Sequence, residues 1–143
     1  MEIKKYDANM PDSIFEGVQA VHVLVFDGTQ LKREKLNRKN LVALVAIEDN
    51  QVAGFKFGYE HEDGAFYSWL GGVHPTFQRR GIAKALMEHQ HKLVNELGYK
   101  LIRTYSRNEK MAMLILNLQS GFHVKSTFLD DKGWHKIVLE KML

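Results

Sequence analysis

The segment Val73-His74-Pro75-Thr76-Phe77-Gln78-Arg79-Arg80-Gly81-Ile82-Ala83 constrains this chain more than any other. An apolar strand ends here, a short polar turn follows, and a long amphipathic helix is expected from Arg80. The turn holds two arginines and a glycine where the chain changes direction. Backbone N–H groups, the positive end of a helix dipole and two guanidinium groups therefore converge on one point. A diphosphate fits such a point.

The 143 residues fit one domain, residues 1–143. A chain of this size can bury roughly two-thirds of its unfolded surface, so it needs no covalent staple. It has no cysteine, which excludes disulfides and thiolate metal sites. No run is long and apolar enough to cross a membrane. Met1 to Tyr6 alternates and lacks the apolar core of a signal peptide. A cytoplasmic protein is the expectation. The net charge of +3, from 20 basic and 17 acidic residues, is too mild to argue for nucleic acid. The basic run Lys32-Arg33-Glu34-Lys35 with Arg38-Lys39 reads as a solvated helix face.

Met1 to Tyr6 reads as a strand and Pro11 to Phe26 as a helix, with Ile14, Val18, Val21 and Val25 at helical spacing. Thr29 to Asn40 reads as partly helical. Leu41 to Ile47 is continuously apolar, as a strand covered on both faces would be. Val52 to Tyr59 and Ala65 to Val73 continue as strands, separated by Glu62-Asp63-Gly64. Ile82, Leu86, Leu93 and Leu97 then fall on one helix face, closed by Gly98. Tyr99 to Ser106 is a strand and Glu109 to Gln119 a helix. Phe122 to Phe128 and Trp134 to Met142 form a last hairpin around Asp130-Asp131-Lys132-Gly133. The order β-α-α-β-β-β-α-β-α-β-β describes an α/β sandwich on a mixed sheet.

Gln78-Arg79-Arg80-Gly81-Ile82-Ala83 has the form Gln/Arg-x-x-Gly-x-Gly/Ala, and Asn108 stands ahead of a helix that ends in Gly121-Phe122. With this element order, the chain resembles the GNAT superfamily of N-acetyltransferases along its whole length, most strongly from Ala65 to Phe122. The resemblance implies a three-layer sandwich with a mostly antiparallel sheet and a splay between the fourth and fifth strands. It implies acetyl-CoA as cosubstrate and an amine as acceptor. Gln78, Arg79, Arg80, Gly81, Ile82 and Ala83 would hold the diphosphate, with Val73, His74, Asn108 and Asn117 along the cofactor arm. Backbone N–H groups of Gly72 or Val73 would meet the thioester carbonyl. Homodimers are common in the family.

The residues themselves leave some roles open. Gly81 allows close approach of a phosphate to the backbone, and it equally suits a sharp turn. Gly71-Gly72 reads as a strand bulge or as a packing pair under a helix. Asn108 can bind the cofactor arm or cap a helix. Trp69 can wall an acceptor pocket or belong to the core. Met111, Leu114, Ile115 and Leu118 form one apolar stripe of the last helix, and Met113, Leu116 and Asn117 a second, so both sides are expected to be covered.

Many members of the resembling family carry a tyrosine where this chain has Asn117. An amide cannot serve as an acid near neutral pH and can only donate a hydrogen bond. Tyr105, at the end of a strand, is either a substitute acid or a core edge. Glu60, His61, Glu62, Tyr67, Ser68 and His74 are candidate bases, and water can also carry the proton. His89 and His91 point to different sides of their helix, and no metal site is expected. The expected activity is acetyl transfer from acetyl-CoA to a primary amine by direct attack on the thioester. A non-catalytic acyl-CoA-binding module with a partner surface is the alternative.

Overall fold

A computed structural model describes all 143 residues, Met1–Leu143. The elements are β1 (Glu2–Tyr6), α1 (Asp12–Val25), β2 (Val42–Glu48), β3 (Gln51–Glu60), β4 (Phe66–Val73), α2 (Ile82–Glu96), β5 (Leu101–Ser106), α3 (Met111–Gln119), β6 (His123–Leu129) and β7 (His135–Met142). They build one seven-stranded sheet in the order β1-β2-β3-β4-β5-β7-β6. Only β4 and β5 run parallel; every other pair is antiparallel.

Strand alternation divides the core between the two faces. Ala43, Val45, Phe55 and Phe57 point to one face and pack with Val18 and Val21 of α1. Leu44, Ala46, Ala53, Phe66, Ile102 and Leu139 point to the other, where Ile82, Leu86 and Val94 of α2 cover them. The continuous apolar run of β2 thus serves both layers. Each fully buried phenylalanine of β3 contributes about 2–3 kcal/mol through surface removed from water.

Glycines set how close the helices sit. A Cβ at Gly54 would lie 3.2 Å from Ile82 and 3.4 Å from Leu86, so α2 rests directly on β3. A Cβ at Gly72 would lie 3.0 Å from Val25, so α1 rests on β4 in the same way. The bulge sits elsewhere: register shifts where Phe57 faces Leu70 and Gly58 faces Ser68, leaving Trp69 as the extra residue. Gly71-Gly72 is therefore a close-packing pair, and the bulge lies just before it.

Three further expectations change. Thr29 to Asn40 holds only a 3-10 turn, Arg33–Leu36; its two buried residues, Leu31 and Leu36, are five apart and do not form the apolar stripe of a longer helix. Its basic run lies on the surface as expected, with Lys32, Lys35, Arg38 and Lys39 exposed, and two of its arginines have fixed partners. Arg33 bonds the Asp12 carboxylate at 2.8 Å and stacks on Phe15, and Arg38 lies over Tyr59 and Trp69. Leu97 falls just past the end of α2 and is half exposed, with Gly98 in the left-handed region behind it. In α3 the sheet-facing side is Leu114 and Asn117; Met111, Met113, Ile115 and Leu118 are exposed.

Candidate active site

The turn between β4 and α2 begins with a 3-10 turn at Pro75–Phe77, anchored by the buried Phe77 ring. His74 is engaged within this turn, its Nδ1 accepting from the Thr76 N–H at 3.1 Å. Arg80 folds over Phe77, its guanidinium 5.0 Å from the ring centre. Arg79 adopts φ 65° and Gly81 φ 76°, and α2 starts at Ile82, two residues later than expected. No side chain caps this helix, so its first N–H groups lack protein partners. A Cβ at Gly81 would meet no atom within 4 Å, so the left-handed backbone, not crowding, is what favours glycine here. Gln78, Arg79 and Arg80 are exposed around it. The two arginines and the uncapped helix start are thus adjacent and exposed.

This turn opens onto a gap in the sheet. β4 and β5 pair only at Phe66–Ile102 and Tyr67–Arg103. Thr104 Oγ1 donates to the Ser68 carbonyl at 3.0 Å, the last link before the strands part. Beyond it one edge of β4 has no strand partner. The His74 N–H bonds the Ala53 carbonyl, and Gly54 faces Val73 in register. Antiparallel alternation then commits the Gly72 N–H to β3 and turns the N–H groups of Gly71 and Val73 to the open edge. Of the two expected backbone donors, the Val73 N–H faces the open edge, as does that of Gly71, while the Gly72 N–H is spent within the sheet.

On the α2 face, a floor of buried polar groups lies between the sheet and the helices. Ser68 donates to Gln90 Oε1 at 3.0 Å. Gln90 Nε2, His91 Nε2 and Ser106 Oγ are buried without partners. Asn117 is 3 % exposed and projects from α3 toward the same layer. Unpartnered buried donors are costly in a finished core and are expected where a ligand or water completes the bonding. Asn108 lies in the turn ahead of α3 and does not cap it; the preceding position is Lys110, and the helix starts at Met111.

Two cations sharpen this floor. Lys56 is 7 % exposed and has no carboxylate partner; burial lowers its pKa to about 8. His91 is pushed down to about 4, first by burial and then by Lys141 and Lys56. Lys141 Nζ donates to His91 Nδ1 at 3.0 Å, so the imidazole is neutral with its proton on Nε2. Lys56 escaped the sequence reading, although a lysine at a core-facing position of the apolar run Val52 to Tyr59 was the available signal.

On the α1 face the gap is walled by rings. Trp69, Tyr59, Tyr67, Tyr105 and Phe128 follow one another edge to face, with centres 5.4, 5.3, 5.3 and 6.2 Å apart. Trp69 thus belongs to this row of rings and also packs against the α1-side core. Tyr105 and Asn117 stand on opposite faces of the sheet and are not brought together. The Tyr67 phenol is pushed well above its usual range by burial, then by Tyr59 and Tyr105, which makes it a hydrogen-bond donor. Arg103 donates to His61 Nδ1 at 3.2 Å, and burial followed by Arg103 lowers the His61 pKa. Its acceptor nitrogen is engaged, so His61 is a poor base.

Glu60 points to the α2 face, where Lys39, Tyr99 and Asn40 hold it, and these bonds, led by Lys39, lower its pKa. It is a structural carboxylate. A cleft of about 620 Å³ beside the ring wall is lined by Arg38, Lys39, Tyr59, His61, Glu62, Asp63 and Arg103, among others. The larger cavity, about 720 Å³, lies at the far end of α2 around Leu97–Leu101 and touches neither the turn before α2 nor the gap.

Comparison with known proteins bears on the family and the fold. A family model described as an acetyltransferase (GNAT) domain matches residues 39–123. No curated protein matches in sequence. The fold is similar to that of the aminoglycoside 6'-N-acetyltransferase from Enterococcus faecium, with TM-score 0.82, 14% identity and coverage of 99% of this chain and 97% of that one. It is similar to the ribosomal-protein-S18-alanine N-acetyltransferase from Escherichia coli, with TM-score 0.76, 15% identity and coverage of 99% and 94%. An aminoglycoside 6'-N-acetyltransferase complexed with coenzyme A superposes with TM-score 0.80 at 13% identity, covering 99% and 97%. At such identities the likeness concerns the fold. The family match spans more than half of the chain, and the chain belongs to the GNAT acetyltransferase family.

Proposed function

We propose that this protein is an acetyl-CoA-dependent N-acetyltransferase acting on a primary amine. The observation that carries this reading is the convergence of the uncapped α2 N-terminus with the free β4 edge on one gap. The N–H groups from Gly81 onward, with Arg79 and Arg80, would hold the diphosphate. The free edge at Gly71 and Val73 would hold the arm as an added strand. Acetyl-CoA supplies the reactive acyl thioester when bound.

The residues of the chain then do the rest. An N–H of Val73 or Gly71 donates toward the thioester oxygen, where negative charge grows. The two faces of the gap bring the amine and the acyl group together, which is where most of the rate gain arises. Asn117 orients the sulfur by hydrogen bonding, and a water beside Ser106 or Gln90 carries the proton. Tyr105 sits with the acceptor wall and is a positioning group for the amine.

The test is thiol release from acetyl-CoA over a panel of primary amines. Amine-dependent release, with the acetylated amine seen by mass spectrometry, is the expected result. Saturable acetyl-CoA binding with no release for any amine would favour the non-catalytic module, to which the Asn117 substitution points.

A further inference from the structure

We infer that the α1 face of the gap is an acceptor site for an amine that also carries a carboxylate and an apolar body, with Arg38 reading the carboxylate. The assignment rests on the acetyl-transfer reading and narrows its acceptor.

Charge pairing in the adjoining cleft singles out Arg38. Lys39 pairs with Glu60 at 2.6 Å. Arg103 pairs with Asp63 at 2.9 Å and with Glu140 at 2.8 Å. Arg38 has no carboxylate. Its Nε donates to the Lys35 carbonyl at 3.2 Å, which fixes the plane of the guanidinium and leaves its terminal N–H groups free. That plane lies 5.1 Å from the centre of Tyr59 and 5.4 Å from that of Trp69. The rings strip water from one side of the cation and hold it in place. A planar, pre-oriented fork of N–H donors matches a carboxylate in two-point contact.

The rest of the wall defines the other part of the acceptor. Beyond Arg38 the gap is bordered by Trp69, Tyr67, Tyr105 and Phe128, the last two more than a third exposed. Tyr67 sits at the last paired rung and Trp69 at the bulge, so these rings flank the strand edge where the free N–H groups emerge. An apolar side chain covers such a wall while the amine points into the gap. A polycationic acceptor finds little here: the single cleft carboxylate without a cationic partner is Glu62, on the exposed turn. An α-amino acid with an aromatic or branched apolar side chain satisfies all three features.

Binding and turnover are measured separately, on the wild type and on Arg38→Ala and Arg38→Lys. Saturation-transfer NMR titrations use phenylalanine, leucine, phenylalaninamide, phenethylamine and spermidine, with and without CoA. The same amines enter the thiol-release assay. Phenylalanine or leucine is expected to bind about ten-fold more tightly than the compounds lacking a carboxylate, as a charge-assisted two-point contact provides. Arg38→Ala should remove that preference and leave acetyl-CoA affinity unchanged, since Arg38 is exposed and outside the phosphate turn. Arg38→Lys should keep part of it. Equal or tighter binding of phenethylamine or spermidine, a preference that survives in Arg38→Ala, or no binding of either amino acid overturns the assignment. Loss of acetyl-CoA binding alone would sink the acetyl-transfer reading, while the NMR titration still decides the acceptor.

Discussion

Thr104 Oγ1 donates a hydrogen bond to the Ser68 carbonyl at 3.0 Å, and this bond closes the seam between β4 and β5 at the point where they separate. A threonine side chain thus replaces the ladder bond that the next rung lacks. Thr104→Val keeps the shape and removes the donor. It should cost about 1 kcal/mol, read as a lower urea midpoint with unchanged slope. Unchanged stability would mean that the splay is held open by other contacts.

Lys56 should make the fold more stable in alkali. Its native pKa of about 8 lies below the ordinary 10.5, so the native state sheds its proton first. The charged form disfavours folding most strongly below pH 8, and that penalty fades between pH 8 and pH 10.5. Lys56→Met should therefore stabilise at pH 7 by about 3 kcal/mol at most. The gain should shrink toward pH 10.5. An equal gain at both pH values would show that Lys56 is not desolvated.

His91 sets a second window, on the acid side. Its native pKa of about 4 lies below the ordinary 6.5, so the unfolded chain binds a proton more readily between those values. Stability should rise from pH 4 to pH 6.5, with His91 contributing about 2–3 kcal/mol of that rise. His91→Gln should flatten this limb in thermal melts taken across the range. A limb of undiminished height in the variant would assign it to carboxylates instead.

Gly72 permits the contact between α1 and β4. A side chain there would press on Val25, already 3.0 Å from the position of a Cβ. Gly72→Val should cost about 1–3 kcal/mol through overpacking, measured by chemical denaturation. Gly133→Ala is the control for loss of a turn glycine, because a Cβ there meets nothing within 4 Å. The control should cost only about 1 kcal/mol, from its left-handed backbone. Equal losses in the two variants would reduce Gly72 to a matter of backbone freedom.

Much of this architecture is legible in the residues because local periodicity and burial agree. Val18 and Val21 mark α1, Ile82 and Leu86 mark α2, and the unbroken apolar run of β2 announces cover on both faces. The turn into α2 is legible because Gly81 and the two arginines are adjacent in sequence. What depends on distant pairing is not. The direction of the Gly72 N–H follows from β3 register, which no local pattern encodes. Arg38 reads as one more charge in a basic run until folding lays it on Tyr59 and Trp69. Lys56 lies within an apolar strand, where alternation rather than residue type reveals its burial. Thr29 to Asn40 reads as partly helical from sequence and holds one 3-10 turn, Arg33–Leu36, because its polar residues tolerate either conformation.

The central claim is that the turn from Gln78 to Ala83 binds the diphosphate of acetyl-CoA. Calorimetric titration of the wild type and of Gly81→Asp tests it most directly. The substitution adds a carboxylate in front of the free N–H groups and strains a left-handed position. The wild type should bind acetyl-CoA saturably, and Gly81→Asp, still folded by circular dichroism, should show no binding. Equal affinity in the two proteins, or no binding by the wild type, would contradict the assignment.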